Sequence, residues 1–97
     1  MNKNSLIKTP YDVLIDTAEK VKKLRKAEKY SQAELAERSG VSLGSLKRFE
    51  NSGQIWLESL VKIANIFDRL DDFERFLKPE EDLKNIEKLF SKWNLKQ

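Results

Sequence analysis

Cysteine and histidine are both absent from the 97 residues of this sequence. Without cysteine there can be no disulfide and no thiolate ligand for zinc. Without histidine the chain lacks the commonest general base and the commonest metal ligand. The acidic run at residues 80–82 follows Pro79, and it fits the first turn of a helix, where acids favour the helix dipole. We therefore expect neither an enzyme nor a metal or other cofactor.

Long apolar runs are also absent. No stretch approaches the roughly 20 apolar residues that span a bilayer, and no signal-peptide pattern opens the chain. Glycine and proline are scarce, at three and two residues, and neither a repeat nor a low-complexity segment is visible. We expect a cytoplasmic protein of one domain with no membrane partner.

The net charge of +3 is unevenly distributed. Residues 1–30 hold eight basic and four acidic side chains, which gives +4, and residues 71–97 hold six and seven, which gives −1. A basic end and a nearly neutral end suit a chain with nucleic acid on one side and protein on the other. A solvated lysine-rich helix would explain the same charges, so charge alone does not decide.

The most informative stretch is residues 31–53, SQAELAERSGVSLGSLKRFENSG. Ser31 is a good N-cap, and Glu34 three residues later predicts a capping box. Gly40 is suited to end this first helix, and Ser42 is suited to cap a second one. Two helices joined by a short turn that contains glycine form a helix-turn-helix, whose second helix can lie in the major groove of DNA.

The second helix of this pair has one side on which another molecule can come close to the helix backbone. We expect Leu46 and Phe49 to face inward. The opposite side then carries Leu43, Gly44, Lys47 and Arg48. Glycine inside a helix costs about 1 kcal/mol relative to alanine, so folding alone does not favour Gly44, whereas contact with another surface does.

Apolar residues elsewhere also recur at helical spacing. Thr9 and Pro10 predict the start of a first helix. Its apolar stripe is Tyr11, Leu14, Ala18, Val21 and Leu24. A later helix is predicted by the stripe Leu57, Leu60, Val61, Ala64 and Phe67. Residues 70–77 predict a short helix, and a last amphipathic helix follows Pro79.

The segments QAELAERSGVS and SLKRFENSG resemble the repressor-type helix-turn-helix of phage repressors and their bacterial relatives, the Cro/C1 or Xre family. The resemblance covers about Ala18 to Phe67. It implies an all-α, five-helix repressor-like helix-turn-helix domain over residues 9–77. Around it we expect a disordered N-terminus at residues 1–8 and a C-terminal amphipathic helix at residues 78–97.

The same resemblance implies roles for individual residues. Those facing base edges are Leu43, Gly44, Lys47 and Arg48, with Arg48 suited to guanine and Leu43 to a thymine methyl. Those facing phosphates are Gln32, Ser42, Ser45 and Asn51. Arg25 and Glu50 occupy the positions of a structural ion pair, and Arg25 could also donate to a nearby phosphate. Many relatives are polar where this chain has Leu43 and Gly44, so readout of DNA shape carries more of the specificity here.

Apolar residues outside the core of this domain are expected to make a dimer or partner contact. They are Trp56, Leu83, Ile86, Leu89, Phe90 and Trp93. An exposed apolar stripe must dock somewhere, and three places stay open: the chain's own domain, a second copy, or a partner protein. Related sequences commonly have a Ser or Thr cap at Trp56. Both a surface position and a partly buried core position remain open for it.

The resemblance implies a sequence-specific transcriptional repressor that binds double-stranded operator DNA as a homodimer. VSLGSLKRFENSGQI, LESLVKIANIF and LDDFERF further resemble HipB-like repressors encoded beside HipA-type kinase toxins. That likeness implies an autoregulating antitoxin with a HipA-type kinase as partner. Two alternatives stay open: a stand-alone phage-type or metabolic regulator, and an interaction module that has lost DNA binding.

Overall fold

The computed structural model describes residues 9–80, and all regular structure in that range is helical. The five helices are α1 (Pro10–Ala27), α2 (Gln32–Ser39), α3 (Leu43–Ser52), α4 (Leu57–Ile66) and α5 (Asp71–Arg75). The predicted all-α class with five helices is therefore confirmed. None of these helices is both long and apolar enough to cross a membrane. Two predictions lie outside the described residues: the N-terminal segment 1–8, and the docking stripe of Leu83, Ile86, Leu89, Phe90 and Trp93.

Most of the predicted helix ends form as expected. Thr9 Oγ1 accepts from the Asp12 N–H at 3.1 Å, and the Asp12 carboxylate accepts from the Thr9 N–H at 3.2 Å. Ser42 caps α3 by accepting from the Ser45 N–H at 3.1 Å. Gly40 ends α2 with a left-handed φ of 79°, a conformation that costs glycine little. These local signals set the turn between α2 and α3.

The capping box predicted at Ser31 forms only in half. Ser31 Oγ accepts from the Glu34 N–H at 3.0 Å, but the Glu34 carboxylate does not return to the Ser31 backbone. Instead it accepts from Arg38 Nη2 at 3.4 Å. A basic partner one turn along the same helix competes for this carboxylate.

The core lies between α3 and the helices packed on it. Its fully buried side chains are Leu35, Leu46, Phe49 and Ile63. Ala18 and Val21 of α1, Ala36 of α2 and Val41 of the turn complete it. Because α3 contributes Leu46 and Phe49 to this core, as predicted, its opposite side must face outward.

The apolar stripes predicted for α1 and α4 are partly wrong. In α4 the fully buried residue is Ile63, whereas Leu57, the first residue of the helix, is 60% exposed. In α1, Tyr11 and Leu14 are 64% and 42% exposed. The helix α1 has 18 residues and packs mainly on α3, which has 10, so α3 cannot cover its whole length.

Candidate nucleic-acid interface

The outer side of α3 is exposed along its whole length. Leu43, Gly44, Lys47 and Arg48 all lie at the surface, together with the predicted phosphate contacts Ser42, Ser45 and Asn51. Leu46 and Phe49 on the opposite side have no exposed surface. One helix face therefore brings together every predicted base contact, and the protein's own core covers none of them.

Gly44 leaves a gap in the side chains of this face. Among residues 9–80, no atom lies within 4 Å of a Cβ added to Gly44. The space beside it is open in this part of the chain, so none of these residues requires glycine at this position. The missing side chain leaves the helix backbone accessible from outside.

A buried polar cluster fixes the far end of α3. Arg25 on α1 donates from Nε to Glu50 Oε2 at 2.7 Å and from Nη2 to Glu50 Oε1 at 2.9 Å. Its Nη1 donates to the Tyr30 carbonyl at 2.8 Å, and Gln32 Nε2 donates to Glu50 Oε1 at 3.0 Å. The Arg25 and Glu50 side chains are only 10% and 3% exposed. The cluster thus ties α1, the start of α2 and the end of α3 together.

This cluster lowers the pKa of Glu50 and engages the hydrogen-bond donors of Arg25 and Gln32 within the protein. Burial by itself raises the pKa of Glu50, but the hydrogen bonds from Arg25 and Gln32 and the positive charges of Arg25 and Lys22 outweigh it, so the pKa is lowered. All three guanidinium nitrogens of Arg25 donate within the protein, which leaves little capacity for a phosphate. Gln32 stands at the first position of α2 with its amide turned to Glu50.

A second polar contact was missed at the sequence level. Arg48 donates from Nε and Nη2 to Gln54 Oε1, at 3.2 and 2.6 Å. Gln54 lies six positions further along, in the loop between α3 and α4, and no helical spacing rule connects these positions. The sequence therefore carries no signal that could have found this pair.

Trp56 lies on the surface beside the same face. It is 82% exposed and occupies the N-cap position of α4, where it makes no side-chain cap hydrogen bond. The alternative of a partly buried core aromatic is therefore wrong. Trp56 also borders an open groove that Ser45 and Arg48 of α3 line, so an exposed aromatic ring adjoins the predicted base-contacting side.

Comparison of the sequence with protein families places this chain in a known group. A family model described as Helix-turn-helix matches residues 21–73, a range that includes α2, α3 and α4 completely. Neither the comparison with curated proteins nor that with solved structures gives a match. The family is one of non-enzymatic DNA-binding domains. Because the match spans 53 of the 97 residues and includes the exposed face of α3, the chain belongs to the Xre-like helix-turn-helix family of DNA-binding regulators.

Proposed function

We propose that this protein is a sequence-specific transcriptional repressor that receives operator DNA on the outer face of α3. The observation that carries the proposal is Gly44. Glycine inside a helix costs about 1 kcal/mol relative to alanine, and none of the described residues comes close enough to Gly44 to offset that cost. The bare backbone lies between Leu43 and the basic pair Lys47 and Arg48, where a duplex could approach closely.

The contacts on this face divide by chemistry. Arg48 and Lys47 donate to base edges, and Arg48 can form a bidentate pair with guanine O6 and N7. Leu43 packs on a thymine methyl, and Gly44 admits the groove wall, which favours readout of shape. Phosphates meet Ser42, Ser45 and Asn51. They also meet Gln32 through the second hydrogen of its Nε2, because the bond to Glu50 uses only one of the two. The N-terminal N–H groups of α2 and α3 have no acceptor within their own helices. Those of Glu34 and Ser45 donate to the Ser31 and Ser42 caps, and the others support these phosphate contacts.

The repressor binds as a homodimer on an inverted repeat. Its two α3 helices then lie about 34 Å apart, one turn of DNA. Support comes from the resemblance to dimeric repressors and from Trp56 and Leu57, whose apolar side chains are 82% and 60% exposed at the start of α4. Sizing of the protein with and without a selected duplex tests this, and one chain per half-site on a palindrome is the expected stoichiometry.

Binding to duplexes tests the assigned face directly. Duplexes are selected from a random-sequence pool, and affinity is then measured by fluorescence anisotropy at several salt concentrations. The double variant Lys47→Ala, Arg48→Ala should lose at least about tenfold in affinity for the selected duplex. One bidentate contact between an arginine and a base alone contributes about 1–3 kcal/mol, and this variant also loses the Lys47 contact. Its affinity should also depend less steeply on salt.

The matched control removes two other cations. Lys62 and Arg69 are half-exposed and already pair with Glu58 and Asp72. The double variant Lys62→Ala, Arg69→Ala has the same change in net charge but leaves α3 intact, so sequence preference should persist. Unchanged affinity in the α3 variant would count against the proposed face.

The proposal extends to the role of an autoregulating antitoxin beside a HipA-type kinase. Its support is the sequence likeness of residues 41–55, 57–67 and 70–76 to HipB-like repressors. An adjoining reading frame for a kinase, and co-purification of its product with this chain, are the expected results. Without such a neighbour, the role becomes that of a stand-alone phage-type or metabolic regulator. An interaction module that has lost DNA binding would enrich no duplex at all.

A further inference from the structure

The contact between Arg48 and Gln54 occupies one particular edge of the guanidinium group. Nε and the adjacent hydrogen of Nη2 form the side edge, and Gln54 Oε1 accepts from both, at 3.2 and 2.6 Å. A guanidinium has five N–H donors in a fixed plane. The contact with Gln54 uses two of them and leaves the end edge, formed by Nη1 and the second hydrogen of Nη2, directed away from Gln54.

The loop holds Gln54 in this position by a second set of bonds. The Gln54 N–H donates to Ser52 Oγ at 3.2 Å, and Ser52 Oγ donates to the Arg48 carbonyl at 2.7 Å. Gly53 between them has a φ of +78°, and a Cβ added there would lie 2.7 Å from the Leu14 carbonyl carbon. The loop is therefore pressed against the α1 backbone, and Gln54 is fixed to Arg48 through both main chain and side chain.

We propose that Gln54 is a positioning residue that sets the base specificity of Arg48. By occupying the side edge, it leaves the end edge as the fork that meets guanine O6 and N7. It also orders a flexible side chain before DNA arrives, and ordering one such side chain in advance corresponds to about 2- to 13-fold in affinity. This inference rests on the proposed function, because it requires α3 to face the bases.

Without Gln54, Arg48 keeps its charge but loses its orientation. An unrestrained guanidinium can turn any of its edges to a phosphate, which carries no sequence information. Gln54 therefore converts a general cation into a reader of one base. Affinity for a duplex of arbitrary sequence depends on the charge of Arg48 and should not require Gln54. Preference for guanine over other bases should require it.

Two substitutions separate orientation from folding. Gln54→Met has similar length but no acceptor, and Gln54→Glu retains an acceptor oxygen. Both keep the backbone bond to Ser52, and the exposed position 54 predicts unfolding midpoints close to that of the wild type. The probes are a duplex that the wild type selects from a random pool and the same duplex with 7-deazaguanine, which lacks N7. The replaced base is the guanine that Arg48→Ala no longer selects.

The wild type should lose about tenfold in affinity on the 7-deazaguanine duplex. Gln54→Met should lose about twofold or less, while its affinity for random duplex and its salt dependence stay those of the wild type. Gln54→Glu should still distinguish guanine from 7-deazaguanine. Its overall affinity for DNA should be weaker, because it adds a negative charge near the phosphate backbone of the duplex.

Equal losses in the wild type and in Gln54→Met would overturn this inference while leaving the proposed function intact. A wild type that is insensitive to 7-deazaguanine at every selected guanine would overturn it as well. If no duplex is enriched in the first place, the proposed function itself fails, and the inference fails with it.

Discussion

Removing either partner of the Arg25–Glu50 pair should unfold this domain far more readily than removing an ordinary surface charge. The two side chains are 10% and 3% exposed and share two hydrogen bonds of 2.7 and 2.9 Å. Arg25→Met leaves a buried carboxylate without its cation, and Glu50→Met leaves a buried guanidinium without its anion. Each should lower the free energy of unfolding by about 3–5 kcal/mol. For a domain of this size that corresponds to a fall of at least about 12 °C in Tm.

The double variant Arg25→Met, Glu50→Met should be more stable than either single variant. It buries no unpaired charge, and its remaining cost is the loss of partners for the Tyr30 carbonyl and the Gln32 amide. Because both residues are only partly buried, each loss should cost about 1 kcal/mol, the lower end of the range for a buried group, which gives about 2 kcal/mol in total. The two single losses add to at least about 6 kcal/mol, so the coupling energy in the cycle should reach about 3 kcal/mol or more.

Urea unfolding followed by circular dichroism at 222 nm measures all four proteins of the cycle. The control cycle uses Lys20 and Asp16, a pair one helical turn apart on α1 whose side chains are 73% and 30% exposed. Its coupling should be only about 0.3–0.5 kcal/mol. A coupling between Arg25 and Glu50 as small as that of the control would refute the argument that burial makes this pair structural.

Three further predictions concern acid stability, glycine and the α4 cap. Because the pKa of Glu50 is lowered from 4.5 in the folded state, the ionised carboxylate stabilises the fold above pH 4.5, and this contribution is lost as the pH falls. The difference in unfolding free energy between wild type and Glu50→Gln should therefore shrink between pH 7 and 3.5. A difference that stays constant over this range would contradict the prediction. Gly53→Ala should lower the free energy of unfolding by roughly 2 kcal/mol or more, because its left-handed φ and the nearby Leu14 backbone both oppose a side chain. Gly44→Ala should instead raise the free energy of unfolding by about 1 kcal/mol while weakening DNA binding. Urea titrations measure the stabilities and anisotropy measures the binding, and an equal loss of stability in both variants would contradict the assignment of Gly44. Trp56→Ser should raise the free energy of unfolding by about 1 kcal/mol, because serine supplies the missing cap of α4. Sizing should show a weaker dimer, because the variant removes an exposed ring that we propose for the subunit contact. A lower stability in thermal unfolding would contradict the prediction and indicate that the ring packs within the domain.

Sequence alone predicts the features that depend on neighbours three or four positions apart. The caps at Thr9 and Ser42 and the left-handed end at Gly40 are of this kind, because the groups that meet there lie within one helical turn. The exposed face of α3 followed from the same spacing, since Leu46 and Phe49 define its buried side. Local geometry therefore supplied most of the fold around the candidate site.

Features that depend on how the helices pack could not be predicted in the same way. Burial of Ile63 rather than Leu57 depends on how α4 lies against α2, which its own periodicity leaves undetermined. Arg25 and Glu50 are 25 positions apart, and only family resemblance suggested pairing them. The Arg48–Gln54 contact depends on the path of a loop that Gly53 and Leu14 shape, so it emerged only from the structure.

The bare backbone at Gly44 has a practical consequence for altering the DNA preference that we propose for this face. Within residues 9–80 no atom lies within 4 Å of a Cβ built at this position, so a library of side chains can be screened there with little risk to the hydrophobic core. Most residues would also gain helix propensity there relative to glycine. Position 44 is thus a natural starting point for testing whether the proposed DNA preference can be changed by one side chain.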